Sequence, residues 1–184
     1  MSRHMLRNCG LALAALVTIA CQRLPFTTRR VAVANVNFTG STGGSRGTGV
    51  LWQDPDGRVH IELRLVGLPP GSHGIHFHTV GRCDGTGSTA FTTAGAHFNP
   101  QGRRHGLSSV DGPHAGDLPN VTVQSNGSAE YNQTVDRISL TTGPTNIHDA
   151  NGTALIVHAA PDDQITDPSG NSGARIACAV VTRA

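Results

Sequence analysis

The sequence predicts an all-β fold, an antiparallel sandwich or barrel of eight strands with two long functional loops. Three observations support this prediction. Short runs rich in Val, Ile and Thr recur along the chain. Gly- and Pro-rich turns separate these runs, as in Asp54-Pro55-Asp56-Gly57 and Pro69-Pro70-Gly71. Beyond the first 30 residues, apolar residues do not recur at helical spacing over a useful length. These patterns together are typical of antiparallel β architecture.

The eight predicted strands follow one another without an intervening helix. Their predicted bounds are residues 31–38, 49–53, 59–66, 75–80, 121–124, 129–140, 154–159 and 175–182. Two connections, at about residues 81–120 and 160–174, are too long for simple turns. Loops of that length are uncommon unless they are functional or disordered. The first contains several metal-binding residue types, so we expect metal to order it. The second lies between His158 and Arg175, where it could wall off a metal pocket.

The first 20 residues have the pattern of a signal peptide rather than of a folded segment. Arg3 and Arg7 precede an apolar run at residues 10–20, which is too short to span a bilayer about 30 Å thick. Cys21 follows a small residue at the end of this run, so the sequence favours lipidation of Cys21 over ordinary cleavage nearby. Residues 21–30 would then form a tether, and residues 31–184 a single domain large enough to bury its own core.

The composition argues against a nucleic-acid partner. The chain has no Lys, and all 14 basic residues are Arg. Once Arg3 and Arg7 leave with the signal, the remaining basic residues balance the 12 acidic ones. The arginines are scattered along the chain, whereas a nucleic-acid-binding surface needs them clustered.

Cysteine usage agrees with export from the cytoplasm. Cys9 would leave with the signal and Cys21 would carry lipid, which leaves Cys83 and Cys178 as a pair. In an oxidising compartment the expected result is a disulfide. The alternative is two unpaired buried thiols.

The most informative motif is the pair His76 and His78, two residues apart in an alternating segment. Side chains in a strand alternate between faces, so both imidazoles leave the same face about 7 Å apart along the backbone. That separation is within reach of one metal ion. Further histidines and a carboxylate follow, and imidazole with carboxylate suits copper and zinc. The recurrence indicates a metal site rather than chance surface histidines.

The motifs, taken in order, resemble those of the copper/zinc superoxide dismutases over residues 31–184. They are G-x-H-x-H, a Cys, A-H-F-N-P, R-H-G, P-H-x-G-D-L-x-N, I-V-H-A and G-x-R-x-A-C. The resemblance implies a Greek-key β-barrel. It also implies dismutation of superoxide to dioxygen and hydrogen peroxide, at a copper site bridged to zinc.

The resemblance assigns a role to each site residue. The copper ligands would be His76, His78, His97 and His158, and the zinc ligands His97, His105, His114 and Asp117. His97 would bridge the two metals and take part in catalysis with Arg175, whose guanidinium suits a small anion. Asp162 would link a copper ligand to a zinc ligand.

Alternatives remain open for several of these roles. Asp162 could instead be an exposed loop residue, because Asp163 lies beside it, and Arg175 could be a solvated residue at a strand edge. The 158–175 connection is short and lacks Lys. The long charged segment that steers substrate in many eukaryotic members is therefore not reproduced.

Two rival functions belong to other classes. One is a dismutase-like protein that binds copper and zinc without turnover, although relatives of that kind generally lack a copper ligand or the arginine. The other is a structural lipoprotein with a zinc-ordered loop, which leaves His76, His78 and His158 unexplained. We expect an exported protein, in the periplasm or at the cell surface, with membrane contact only through lipid on Cys21. A homodimer stays open, since dimeric and monomeric members share these motifs.

Overall fold

The computed structural model describes residues 29–184, which form ten β-strands and two short 3₁₀-helices. The predicted signal peptide and Cys21 lie outside the described residues. The strands are β1 Ala32–Gly40, β2 Ser45–Gln53, β3 Val59–Leu65, β4 Gly71–His73, β5 Ile75–His78, β6 Val121–Val123, β7 Ala129–Val135, β8 Ala154–His158, β9 Arg175–Val180 and β10 Thr182–Arg183. The 3₁₀-helices are Gly87–Thr89 and Thr92–Ala94. Within this range, no helix is long and apolar enough to cross a membrane.

Eight strands form one antiparallel sheet that curls into a half-barrel. Their order is β5-β8-β9-β1-β2-β3-β7, and β10 pairs with β1. β4 and β6 form a separate two-stranded sheet. The edge strands of the large sheet are β5 and β7. β4 directly precedes β5 and β6 directly precedes β7, so the small sheet pairs the segments that lead into these two edge strands. Non-consecutive strands such as β5 and β8 are neighbours, which requires connections across the ends, as in a Greek key. The predicted all-β antiparallel fold is confirmed.

The core forms on the inner face of the curled sheet because the strands alternate. In β3, Val59, Ile61 and Leu63 are buried while Glu62 and Arg64 are exposed. A fully buried side chain of this size contributes about 1.5–3 kcal/mol through loss of apolar surface to water. The alternation also fixes the register, since a slip of one residue would turn the apolar side chains outward.

β5 differs from β3 because all four of its residues are buried. Ile75 and Phe77 belong to the main core, so His76 and His78 project from the opposite face. The long loop after β5 covers that face. Phe77 N–H donates to the Gly116 carbonyl at 2.9 Å, and the Phe77 carbonyl accepts from a loop amide at 2.8 Å. The histidine pair is therefore enclosed between the sheet and the loop.

A disulfide joins Cys83 to Cys178 across 95 residues. It ties the beginning of the long loop to β9, beside a small apolar cluster that includes Phe91 and Ile156. Closing a loop of this length stabilises the fold by at most about 4 to 5 kcal/mol in the chain-entropy model. The predicted disulfide is confirmed, and the alternative of two unpaired thiols is wrong.

The predicted strand bounds differ from the structure by one or two residues at most strands and by more at β2 and β7. β2 begins at Ser45 rather than residue 49, because the Gly-rich segment before residue 49 is partly strand. A Cβ on Gly47 would lie 2.1 Å from the Arg64 carbonyl oxygen, so glycine here permits close strand approach. β7 ends at Val135 rather than residue 140. The short strands β4 and β10 were not predicted.

Candidate metal centre

The structure brings all seven predicted metal ligands into two groups that share His97. Each residue offers one donor atom, and the donor atoms within a group lie within 4.8 Å of one another. Every member is buried. The first group is His76, His78, His97 and His158, and the second is His97, His105, His114 and Asp117.

In the first group, the ring nitrogens that face the middle of the group lack ordinary protein partners. Among the described residues, Nδ1 of His76 and Nε2 of His97 are buried without a hydrogen-bond partner. The Nε2 atoms of His78 and His158 lie 3.4 Å apart. Buried polar nitrogens without partners are rare and call for an explanation. A bound metal ion would use all four lone pairs.

The outer ring nitrogens of two of these histidines are held by backbone carbonyls. His78 Nδ1 donates to the Gly95 carbonyl at 2.9 Å. His158 Nδ1 donates to the Gly173 carbonyl at 3.1 Å. These hydrogen bonds place the ring proton on Nδ1, so Nε2 keeps its lone pair for a metal.

The second group converges on one oxygen of Asp117. The Nδ1 atoms of His97 and His105 lie 3.1 Å from Oδ1, and Nδ1 of His114 lies 3.3 Å from it. The other oxygen, Oδ2, accepts from the backbone N–H groups of Gly106 and His114 at 2.8 and 3.0 Å. Three imidazole nitrogens and one carboxylate oxygen form a donor set typical of four-coordinate zinc.

His97 contributes one ring nitrogen to each group. Its Nδ1 lies at Asp117, and its Nε2 belongs with the unpartnered nitrogens of the first group. The loop that carries it runs against β5, where His97 forms an isolated antiparallel bridge with His78. The geometry therefore permits one imidazole to contact two metal ions.

The Asp162 carboxylate connects the two groups. Oδ2 accepts from His76 Nε2 at 2.7 Å, and Oδ1 accepts from His105 Nε2 at 2.9 Å. Asp162 is 3% exposed, so the structure does not support the alternative of an exposed loop residue. Asp163 fits that description instead, because its carboxylate binds exposed backbone N–H groups of its own loop.

Burial keeps most of the first group neutral. Desolvation lowers the pKa of His97 to about 4, despite its hydrogen bond to Asp117, and lowers the pKa of His158 to about 3. Desolvation likewise lowers the pKa of His78 well below its usual value. Neutral imidazoles are the form that binds metals.

The pKa of His105 moves in the opposite direction. Burial alone would lower it, but hydrogen bonds to Asp117 and Asp162 outweigh burial and raise the pKa of His105 to about 9. For Asp117, burial would raise the pKa, yet hydrogen bonds from the three histidines hold it far below its usual range. The second group therefore combines the Asp117 anion with a protonated His105, and metal binding would remove the proton from His105.

Arg175 lies at the start of β9 beside the first group. Its guanidinium donates to the backbone carbonyls of Phe91 and Gly95, and the Gly95 carbonyl also accepts from His78. Burial lowers the pKa of Arg175, although a guanidinium stays charged. A side chain half-buried and held by two carbonyls differs from the solvated strand-edge arginine considered as the alternative.

Two further histidines, His73 and His60, have structural contacts. The His73 ring lies 2.9 Å from the His158 carbonyl and 2.8 Å from the Pro69 carbonyl, so it ties two backbone segments together. His60 stacks on Trp52, with ring centroids 3.8 Å apart.

The sequence did not predict roles for Asn120 and Gln164, which contact Asp162. Asn120 is the last residue of the P-H-x-G-D-L-x-N motif, and its place in that motif could have indicated a role at the site. Gln164 belongs to no motif, so no comparable signal pointed to it.

Comparison with known protein families gives a match over most of the chain. The model of the copper/zinc superoxide dismutase (SODC) family matches residues 45–181. A curated relative, superoxide dismutase (Cu-Zn) 2 of Aquifex aeolicus (strain VF5), is 41% identical over 125 residues, which cover 67% of this chain and 71% of the relative.

Solved structures with the same fold include a SOD-like protein from Bacillus subtilis. It has a TM-score of 0.75 and 36% identity, and the match covers 79% of this chain and 96% of that chain. A variant of the Bacillus subtilis protein with two substitutions to histidine also has a TM-score of 0.75, with 38% identity and coverage of 79% and 95%.

Proposed function

The chain belongs to the copper/zinc superoxide dismutase family, and on that premise we propose that it is an active member. The proposed reaction converts two superoxide anions and two protons to dioxygen and hydrogen peroxide. Copper would be held by His76, His78, His97 and His158, and zinc by His97, His105, His114 and Asp117. The observation that carries the proposal is the pair of complete donor groups joined through His97, with Arg175 beside the first.

The residues present fit both metals. Four buried imidazoles, two of them with unpartnered nitrogens, suit copper in either oxidation state. One carboxylate oxygen surrounded by three imidazole nitrogens suits zinc. When bound, copper would supply one-electron oxidation and reduction, and zinc would supply a fixed positive charge without redox change.

The chain's own residues would bind the anion and deliver a proton. The Arg175 cation would attract superoxide and orient it through paired hydrogen bonds. Two carbonyls fix this guanidinium, so little conformational freedom is lost when the anion binds. His97 would hold a proton at Nε2, the ring nitrogen that faces the first group, and deliver it to the peroxide product.

The alternative is a dismutase-like protein that binds copper and zinc without turnover. It is retained because the similar solved structures carry the name SOD-like. Metal content and superoxide turnover of the purified chain, before and after loading with copper and zinc, separate the two. Turnover that appears on loading supports the enzyme. Full occupancy of both metals without turnover supports the alternative.

We also propose that the protein works outside the cytoplasm, in the periplasm or at the cell surface. The Cys83–Cys178 disulfide supports this location, because stable disulfides are rare in the cytosol. The predicted signal peptide and the lipidation of Cys21 agree with it and remain predictions.

A further inference from the structure

Gln164 has an unusual backbone conformation for a residue with a side chain. Its φ is 64°, in the left-handed region that favours glycine. It lies in the loop between β8 and β9, two residues after Asp162. Asn171, with φ 55°, shares this conformation in the same loop and serves below as a reference. Unfavourable backbone conformations persist where surrounding contacts hold them in place.

The backbone of Gln164 contacts the carboxylate that links the two donor groups. Its N–H donates to Asp162 Oδ1 at 2.6 Å, and the same oxygen accepts from His105 Nε2 at 2.9 Å. The other carboxylate oxygen, Oδ2, accepts a hydrogen bond from His76 Nε2. Among residues 29–184, Gln164 is thus the third hydrogen-bond donor to this carboxylate, beside the two histidine rings.

Gln164 also makes three hydrogen bonds to backbone groups of the loop that carries the second donor group. Its side-chain Nε2 donates to the Leu118 carbonyl at 3.2 Å, and its Oε1 accepts from Leu107 N–H at 3.3 Å. Its carbonyl accepts from Ser108 N–H at 3.0 Å. Leu118 directly follows Asp117, so these contacts reach the loop close to a predicted zinc ligand.

Asn120, whose side chain also binds Asp162, does not orient the carboxylate. The Asn120 side chain accepts from Asp162 N–H at 2.9 Å and donates to the Asp162 carbonyl at 2.8 Å, but it binds only the backbone. Asn120 therefore holds the position of Asp162 along the chain. The orientation of its carboxylate depends on the two histidine rings and on Gln164.

We propose that Gln164 is a positioning residue that fixes the Asp162 carboxylate between His76 and His105 by bracing it against the loop of the second donor group. The inference rests on the proposed function, because it takes His76 and His105 to be metal ligands. Partners that orient ligating histidines set the ring position and the basicity of the metal-binding nitrogen. Gln164 acts on the metals only through Asp162.

The test compares Gln164→Gly with Asn171→Gly. Glycine accepts a positive φ and keeps the N–H that donates to Asp162, so Gln164→Gly removes only the side-chain contacts to Leu107 and Leu118. Asn171→Gly makes the same change at a matched φ. Its side chain donates to the Asp163 carboxylate at 2.9 Å rather than to the Asp162 carboxylate. Gln164→Asn is a second variant, since Asn tolerates this backbone but is too short to span both contacts.

The main readout is proton exchange of the His76 and His105 ring N–H groups with water. It is measured by NMR on protein with ¹⁵N-labelled histidine and zinc in both sites. We expect exchange at least about tenfold faster in Gln164→Gly and Gln164→Asn, with Asn171→Gly like the parent. Zinc affinity should fall by less than the roughly 10- to 100-fold typical when an outer partner itself is lost. Parent-like exchange in both Gln164 variants would overturn the proposal.

This measurement needs neither copper nor superoxide. A zinc-binding chain that fails to turn over superoxide would contradict the proposed activity, while the exchange rates would still decide the role of Gln164.

Discussion

Asp117 holds its Oδ1 atom 3.1 Å from Nδ1 of His97, the one imidazole that belongs to both donor groups. The other carboxylate oxygen is fixed by two backbone N–H groups. One buried side chain thus positions the shared ring and supplies the only anionic donor of the second group. Its removal should affect the two metals differently.

Replacing Asp117 with Ala should strip zinc preferentially, because the second group then keeps only imidazoles. Copper should still bind, since all four donors of the first group remain. The melting temperature should fall by several degrees, because the long loop loses both the metal and the Oδ2 hydrogen bonds. Metal analysis and calorimetry after dialysis measure both effects. Asp111→Ala, an exposed change in the same loop, is the control, and unchanged zinc stoichiometry in Asp117→Ala would refute the assignment.

The metal-free protein should lose stability as the pH falls from about 6.5 towards 4. Burial lowers the pKa of His97 to about 4 and of His158 to about 3, from a usual value of 6.5. In that window the unfolded chain binds more protons than the folded chain, so the free energy of unfolding rises with pH. His105 opposes this trend only weakly, because its raised pKa gives stability that is already largely present at pH 6.5 and is lost towards pH 9.

Urea unfolding of the metal-free protein at pH 7 and pH 5 measures this effect. We expect the free energy of unfolding to be lower at pH 5 by more than about 1.4 kcal/mol, the equivalent of one pKa unit. Equal or higher stability at pH 5 would contradict the buried neutral state of these rings.

Arg175→Ala should lower the second-order rate of superoxide turnover by about one to two orders of magnitude, within the range of electrostatic rate effects. Copper and zinc occupancy should stay full, because Arg175 donates its hydrogen bonds to backbone carbonyls and is not itself a predicted ligand. Raising the ionic strength should slow the parent more than the variant, since salt screens an attraction that the variant has already lost. Equal rates at low salt, with both metals present, would refute this role.

Cys21→Ser should move the protein from the membrane fraction to the soluble fraction of a bacterial host, if Cys21 carries lipid as predicted. Cys9→Ser, within the predicted signal, is the matched control and should leave the distribution unchanged. Fractionation followed by immunoblotting measures both variants. Identical soluble distribution of the parent and Cys21→Ser would show that the predicted anchor is wrong.

Much of the fold and of the donor set could be predicted from local patterns. Alternation predicted that His76 and His78 share a face, and the family resemblance carried by the order of the motifs implied the other five donors. The start of β2 could not be predicted in this way, because Gly47 serves a close contact with another strand. The contacts of Gln164 could not be predicted either, because they join two loops that are far apart in sequence and meet only in the folded chain.

The most direct test of the account is the second-order rate of superoxide decay per bound copper, measured by pulse radiolysis on the chain loaded with both metals. An active dismutase with this site should reach about 10⁸ M⁻¹s⁻¹, near the diffusional ceiling for such enzymes. His158→Ala, which removes one donor of the first group, should lose most of that rate. A decay rate equal to that of the metal-free protein, with copper and zinc both bound, would contradict the proposed function.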